Sequence, residues 1–361
     1  MIKQMTLAKK LIITPVLAIR AGYAALLPRT FPDYSESPNY DKEKGQFVNP
    51  QRMSGVAFSD GVSALFEMLQ GVGQYGPEQP LPTIKPDWPL FLQDDNINRF
   101  IWFGHSTLLM RVGTQTVATD PIFGQSVSPL EINMRRFQDS AAPLSEWPQV
   151  DVVLLSHNHY DHLEEKTVKQ FAKTQTRFIV PLGVGEYLKP LGIQQENITE
   201  LDWWQSLDYQ GVSYTLVPAW HNTGRSLRDS NKSFWGGYVI QQADDTFYYS
   251  GDTTYGTHFA EIARRFPNID LAFIENGQYN RRWPDSHMTP ELTAQAAEDV
   301  KAPRVVPIHW GAYTMAFHPW SEPVRRSVPA LRQKGIRPLT PYQGQVFDKD
   351  TVTEEWFLKL K

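Results

Sequence analysis

The segment Ser156-His157-Asn158-His159-Tyr160-Asp161-His162-Leu163 gathers three imidazoles and a carboxylate within a few residues of one another. Before it runs Asp151-Val152-Val153-Leu154-Leu155, apolar and branched like a buried strand. The cluster therefore falls on the loop past a strand's carboxyl end, where open α/β sheets carry their sites. Imidazole and carboxylate are donors that suit zinc, and so tight a cluster offers half-sites for two ions rather than one closed cage. With only nine His in 361 residues, three at this spacing beside an Asp are not the scatter of a polar loop. This loop is read as metal-binding.

One such segment cannot close two sites, and three further donors follow strand-like runs downstream. His221 comes after Val212 to Ala219, Asp252 after Thr246 to Gly251, and His309 after Arg304 to Ile308. Each alone reads as an ordinary strand-end polar residue. In this order, and all at strand ends, they read as one ligand set.

The order His-x-His-x-Asp-His, then His, then Gly-Asp, then His resembles the ligand sequence of the metallo-β-lactamase superfamily, over about residues 98 to 345. Trp102 to Thr107 and Thr119-Asp120-Pro121 resemble its early strand motifs. The resemblance narrows to the branch of N-acylphosphatidylethanolamine-hydrolysing phospholipases D and their bacterial relatives. It does so through Gly45 to Pro50, His157 to Leu163, Asn231 to Gly236, Ser286-His287 before Pro290, and Ile308 to Gly311. The resemblance implies an α/β protein, a four-layer αββα sandwich over residues 96–361 with an N-terminal extension over 1–95. It implies two Zn2+ per chain, one on His157, His159 and His221, the other on Asp161, His162 and His309, with Asp252 bridging. Nitrogen-rich donors, with His at 159 where diiron relatives carry an acid, favour zinc over iron. Two divalent ions about 3.5–4 Å apart acidify a shared water and clamp a phosphodiester. Asp120 is expected to orient a ligand His from behind, and His105 to be a satisfied His of the structure or one behind the ligands. His287, ahead of a helix that begins at Pro290 with Thr289 as N-cap, matches a pocket His that contacts the phosphate or the leaving oxygen. His258 and His318 carry no motif and read as structural or surface residues. Two segments depart from the branch's pattern: Trp220 and Asn222 around the lone His, and Glu275 to Trp283. Both would line the pocket, so the metal chemistry is implied more closely than the acyl chain or headgroup. Arg281-Arg282 could clamp a phosphate, although adjacent Arg pairs are commonly solvated.

Composition agrees with a large hydrolase core. Hydrophobic residues make up 41% of the chain, enough for a sizeable interior. A net charge of −4 gives no basic footprint, so no nucleic-acid partner is expected. The chain has no Cys, which excludes disulfides and thiolate-held zinc without fixing the compartment. Eleven Trp include 203, 204, 220, 235, 283 and 310 beside motif residues. Each singly reads as core, and as a set they suit an apolar substrate.

The elements that must position these donors follow from periodicity. Phe100 to Phe103, Thr107 to Val112 and Gln115 to Thr119 read as strands, as do Val152 to Leu155, Phe178 to Pro181, Val212 to Val217 and Gly237 to Gln241. Helices are expected at Glu164 to Lys173, Gly185 to Lys189, Phe259 to Arg265, Pro290 to Val300 and Glu322 to Lys334, with Gly335 stopping the last. Residues 31 to 95 should hold few regular elements, with helical content near Gly61 to Leu69. Residues 1–28 join Lys3, Lys9, Lys10 and Arg20 to apolar stretches too short to span a bilayer. A signal sequence, an interfacial anchor and an ordinary amphipathic helix all fit them. A cytoplasmic location, or one peripheral to the inner face of a membrane, is expected ahead of export.

The expected activity is hydrolysis of lipid phosphodiesters, releasing an N-acylethanolamine-like alcohol and a phosphatidate. The partner is then a lipid or other apolar phosphodiester, with peripheral membrane contact. Two alternatives stand beside it: hydrolysis of a lactone or small phosphorylated metabolite, and a membrane-surface protein whose metal site is structural or sensory. An open ligand set weighs against the last, because structural zinc sites are closed cages.

Overall fold

The computed structural model describes residues 29–51, 63, 73–128, 134–226 and 228–360. The segment 1–28 and, Ser63 apart, the helical stretch expected from Gly61 to Leu69 lie outside them. A hairpin of β1 (Tyr40–Asp41) and β2 (Gln46–Phe47) and a one-turn helix α1 (Trp88–Phe91) precede the main sheets. Then come β3 (Arg99–Trp102), β4 (Leu108–Val112), β5 (Gln115–Thr119), β6 (Val152–Leu154), α2 (Glu165–Phe171), β7 (Arg177–Pro181), α3 (Gly185–Leu188) and β8 (Ile198–Leu201). The second half runs β9 (Ser206–Tyr209), β10 (Val212–Val217), β11 (Gly237–Gln242), β12 (Asp245–Tyr249), α4 (His258–Arg265), β13 (Leu271–Glu275), α5 (Pro290–Asp299), β14 (Arg304–Ile308), α6 (Glu322–Gln333), β15 (Arg337–Pro338) and β16 (Val346–Phe347).

Among the described residues the strands form two large sheets, in the spatial orders β16-β3-β4-β5-β6-β7-β8 and β15-β14-β13-β12-β11-β10-β9. Period-two alternation builds the layers. Met110, Val117, Val152 and Leu154 of the first sheet meet Tyr214, Phe247, Tyr249 and Phe273 of the second in one inner core. The alternate residues Leu109, Ala118 and Val153 pack under Val168 and Phe171 of α2 and Leu188 of α3. Tyr248, Ala272 and Ile274 pack under Phe259, Ala294 and Leu331 of α4, α5 and α6. The result is helices, sheet, sheet, helices: the αββα sandwich.

Strand direction sets the site. β5, β6 and β7 run parallel, and β3 is antiparallel to β4, which is antiparallel to β5, so β3 shares their direction. In the other sheet β12, β13 and β14 are parallel, and β10 shares their direction through β11. The carboxyl ends of these strands carry His105, Asp120, the 156–163 loop, His221, Asp252, Glu275 and His309 to the rim of the sandwich.

Two boundaries differ instructively from the periodicity. α2 ends at Phe171, and the chain closes there through Thr174, whose hydroxyl donates to the Phe171 carbonyl at 2.8 Å. Thr289 does precede α5, but its side chain makes no cap to the helix. Gly335, with φ 72°, takes the left-handed turn after α6. Among the described residues no helix is long and apolar enough to cross a membrane.

Candidate metal centre

The first donor group is His157, His159 and His221. His157 Nε2 lies 2.8 Å from His159 Nδ1, and His221 Nε2 lies 3.3 Å from the same atom. Burial and then the neighbouring imidazoles hold His157 well below the usual His range. Burial likewise holds His221 well below it, against the pull of Asp252, and lowers His159 to about 4. Three neutral imidazoles thus turn ring nitrogens toward one shared point. That convergence fits a cation at their centre.

The second group is Asp161, His162 and His309, with His105 beside them. Asp161 Oδ2 lies 3.2 Å from His162 Nε2, 2.9 Å from His105 Nε2 and 4.0 Å from His309 Nε2. Asp252 stands between the groups. Its Oδ2 is 3.0 Å from His162 Nε2, 3.8 Å from His221 Nε2 and 3.9 Å from His157 Nε2, and its Oδ1 is 3.2 Å from His309 Nδ1. Burial opposes the charge on both aspartates, but the imidazoles, His162 foremost, outweigh it and hold each carboxyl well below its usual range. His162, squeezed by burial yet facing Asp252, Asp161 and Asp120, is held well above. His162 Nε2, His309 Nε2 and Asp252 Oδ1 are buried with no hydrogen-bond partner. Buried polar atoms without partners are costly, and these are the donors a divalent cation takes. The residues present fit such ions.

The rings are held from behind. Asp120 Oδ2 accepts from His162 Nδ1 at 2.6 Å. The Ser286 carbonyl lies 3.1 Å from His221 Nδ1, while Ser156 Oγ and Ser106 Oγ lie 2.9 and 3.0 Å from Nδ1 of His157 and His309. Pinning Nδ1 of His157, His162 and His221 leaves Nε2 to face the centre, which fixes tautomer and ring plane together. His159 instead turns Nδ1 inward, and His309 Nδ1 also faces Asp252. Arg225, buried against Tyr160, donates to the carbonyls of Asn158 and Leu163 at 2.9 and 2.8 Å and so ties down the 156–163 loop. His105, Asp120 and His309 all have positive φ, at 52°, 37° and 67°. Non-glycine residues hold that conformation when their surroundings dictate it. Gly251, φ 58°, is required for approach: a Cβ there would lie 2.8 Å from Ser156 Cβ and 2.9 Å from the Gly236 carbonyl.

All the residues expected from the sequence come to this one rim. Asp120 stands behind His162, and His287 stacks at 5.0 Å on His309 and lies 5.4 Å from His221. His105 pairs through Nε2 with Asp161 but leaves a buried Nδ1 without a partner, so it is only half satisfied. His258 and His318 are buried rather than on the surface. His258 meets Thr253 Oγ1, and burial drops it to about 3; His318 accepts from the Gln278 amide. The Trp set is mostly core: Trp203, Trp235 and Trp310 are buried between the sheets, with indole N–H groups on the carbonyls of Trp235, Ala219 and Pro307. Trp283 is only partly buried, in the loop ahead of His287, and the guanidinium of Arg282 lies over Phe317. Sequence reasoning missed Glu275 and Asn49. Glu275 is a carboxylate closing an apolar strand, the same signal that marked the other donors. Asn49 Nδ2 donates to the His221 carbonyl at 2.7 Å, a role that the Gly45 to Pro50 motif did not by itself assign.

Residues 115–310 match the Beta-lactamase superfamily domain. This chain belongs to that superfamily. With its sandwich and buried His/Asp cluster it is a metallo-hydrolase of the beta-lactamase superfamily. It is similar to an uncharacterized protein of Mycobacterium tuberculosis, 35% identical over 320 residues, 87% of this chain and 85% of the relative. It is also similar to N-acyl-phosphatidylethanolamine-hydrolyzing phospholipase D 1 of Caenorhabditis elegans, 31% identical over 227 residues, 59% of this chain and 64% of that protein. The superfamily fold is seen again in Igni18, a metallo hydrolase of Ignicoccus hospitalis. It aligns with TM-score 0.56 at 17% identity over 69% of this chain and 97% of its own.

Proposed function

We propose that this metallo-hydrolase is a two-zinc phosphodiesterase of the phospholipase D type, acting on N-acylphosphatidylethanolamine-like lipids. His157, His159 and His221 would hold one ion, Asp161, His162 and His309 the other, and Asp252 would bridge them. The observation that carries the reading is the placement of Asp252, whose one carboxylate reaches donors of both groups at 3.0 to 3.9 Å. When bound, the pair of ions would acidify a water and neutralise charge on the phosphoryl oxygens. In the reaction, water oxygen joins phosphorus and the phosphorus–oxygen bond to the N-acylethanolamine breaks, leaving a phosphatidate. The leaving oxygen takes a proton, and His287, between His221 and His309, is the group placed to hand it over or to bind the phosphate. Asp120, Ser156, Ser106 and the Ser286 carbonyl keep the imidazoles turned inward. The C. elegans relative, whose name gives this activity, supports the substrate class. Contact with a membrane surface through the basic and apolar segment before residue 29 belongs to the same proposal.

The test is turnover of zinc-loaded protein on a panel: N-acylphosphatidylethanolamine in mixed micelles, bis(4-nitrophenyl) phosphate, a phosphomonoester and an acyl lactone. Release of N-acylethanolamine well above the other rates is expected. Preference for the lactone or the monoester would replace the lipid reading with one of those chemistries, and no turnover anywhere would favour a structural or sensory site.

A further inference from the structure

Glu275 closes β13 with its side chain fully buried. Its main chain is pinned on both sides: the amide donates to Ser250 Oγ at 3.0 Å, and the carbonyl accepts from Thr293 Oγ1 at 2.9 Å. Each oxygen of its carboxylate is engaged as well. Oε1 accepts from the Met288 amide at 2.6 Å, and Oε2 lies 2.9 Å from His287 Nδ1. Donor atoms of Asp252, Glu275, His287 and His309 all lie within 4.8 Å of one another, which would admit Glu275 as a metal ligand. Each oxygen already accepts one hydrogen bond, however, and the two partners are His287 and the residue next to it. The geometry is that of a holder.

His287 has its other nitrogen free. Among the described residues nothing hydrogen-bonds its Nε2, and the side chain keeps 12% exposure. Its ring stands 5.4 Å from His221 of the first donor group and 5.0 Å from His309 of the second. A phosphodiester lying across both groups would meet this nitrogen. Beside its stacking on His309, the bond at Nδ1 is what orients the ring among the described residues.

We propose that Glu275 is a positioning residue that grips His287 through Nδ1 and so turns Nε2 toward the phosphodiester held across the centre. Glu275 opens the segment where the chain departs from the phospholipase pattern. The inference rests on the reading that His287 meets the substrate, and the experiment separates the two.

The experiment is a double-mutant cycle on the zinc-loaded full chain, with N-acylphosphatidylethanolamine in mixed micelles as the probe, because its alcohol leaving group needs a proton. The variants are E275Q, H287A and E275Q/H287A, each checked for bound zinc. A positioned acid or hydrogen-bond donor contributes about 10²–10⁴-fold. Losing its holder should cost about 10- to 100-fold, in kcat rather than KM, with zinc content unchanged. In the H287A background E275Q should cost less than about twofold, because the residue acts through His287. E275D, which keeps both acceptors one methylene further back, should recover part of the loss, and it takes the place of E275Q in the cycle if that variant does not fold. An equal loss in both backgrounds overturns the proposal, as does loss of a zinc ion in E275Q, which would make Glu275 a ligand. If H287A turns over like the wild type, the role given to His287 fails, and long-range 1H–15N spectra of its ring still decide the positioning. They should show one tautomer in the wild type and a mixture in the Glu275 variant; an unchanged spectrum refutes the holder.

Discussion

Asp120→Asn tests whether the imidazoles are held from behind as described. The Asp120 carboxylate is fully buried and accepts four hydrogen bonds. Oδ1 takes the Ser156 amide at 2.8 Å; Oδ2 takes His162 Nδ1 at 2.6 Å and the Ser156 and Tyr249 hydroxyls at 2.5 Å each. An asparagine accepts through one oxygen only. With its NH2 at the Oδ1 place, it faces the Ser156 amide N–H. With its NH2 at the Oδ2 place, it faces His162 Nδ1–H, and both hydroxyls must rotate to accept. Either way a buried donor loses its acceptor at about 1–3 kcal/mol, and charge-assisted bonds become neutral ones at about 1 kcal/mol each. With one bond lost and three weakened, the sum is about 4–6 kcal/mol of stability. If the ring escapes by moving its proton to Nε2, that nitrogen can no longer face a cation, and zinc affinity should fall about 10–100-fold. Urea unfolding of the metal-free protein reads the first quantity and competition with a chromophoric chelator the second. A variant within about 0.5 kcal/mol of wild type that binds zinc equally well would refute the argument.

Protein expressed with zinc should carry close to two ions per chain by elemental analysis; trace metal only would reject the donor assignment. Asp252→Asn should lose metal and turnover together, while His287→Ala keeps both ions and loses about 10²–10⁴-fold in kcat/KM. The reverse order of severity would remove Asp252 from its bridging place. Gly251→Ala should destabilise by about 2–5 kcal/mol, from left-handed strain and the collisions with Ser156 and Gly236. Calorimetry showing an unchanged melting temperature would contradict the close approach.

The candidate site was legible because its donors are local and follow strand ends. His157 to His162 sit in one loop, and the apolar runs before His221, Asp252 and His309 carry their own strand signal. The inner and outer cores were legible for the same reason, since Val152-Val153-Leu154 and Leu271-Ala272-Phe273-Ile274 are long apolar stretches. Ile198–Leu201 and Ser206–Tyr209 escaped because they are edge strands with polar residues on the solvent side. Strands of two residues, such as Arg337–Pro338, carry no period at all. The Glu275–His287 pair joins residues twelve apart across a strand end and a helix entry. Each looks ordinary alone, and only burial gives the pair its meaning. Read singly as core, most of the Trp residues are core, and adjacency to motif residues in sequence puts them beneath the site rather than beside it.

The bond from Asn49 to the His221 carbonyl has a bearing on how the protein is made. Phe47 stacks on Phe234 at 4.6 Å, and its amide donates to the Asn231 carbonyl at 2.8 Å, so this early strap is seated on residues that follow it by nearly two hundred positions. During synthesis it leaves the ribosome well before its seat and has nowhere to dock until Phe234 has emerged. Contacts of such sequence separation form late because the intervening loop must first be closed. The rim around His221 is therefore completed by a segment made far earlier, and a nascent chain stalled before residue 234 would hold the 156–163 loop without the strap that backs its neighbour.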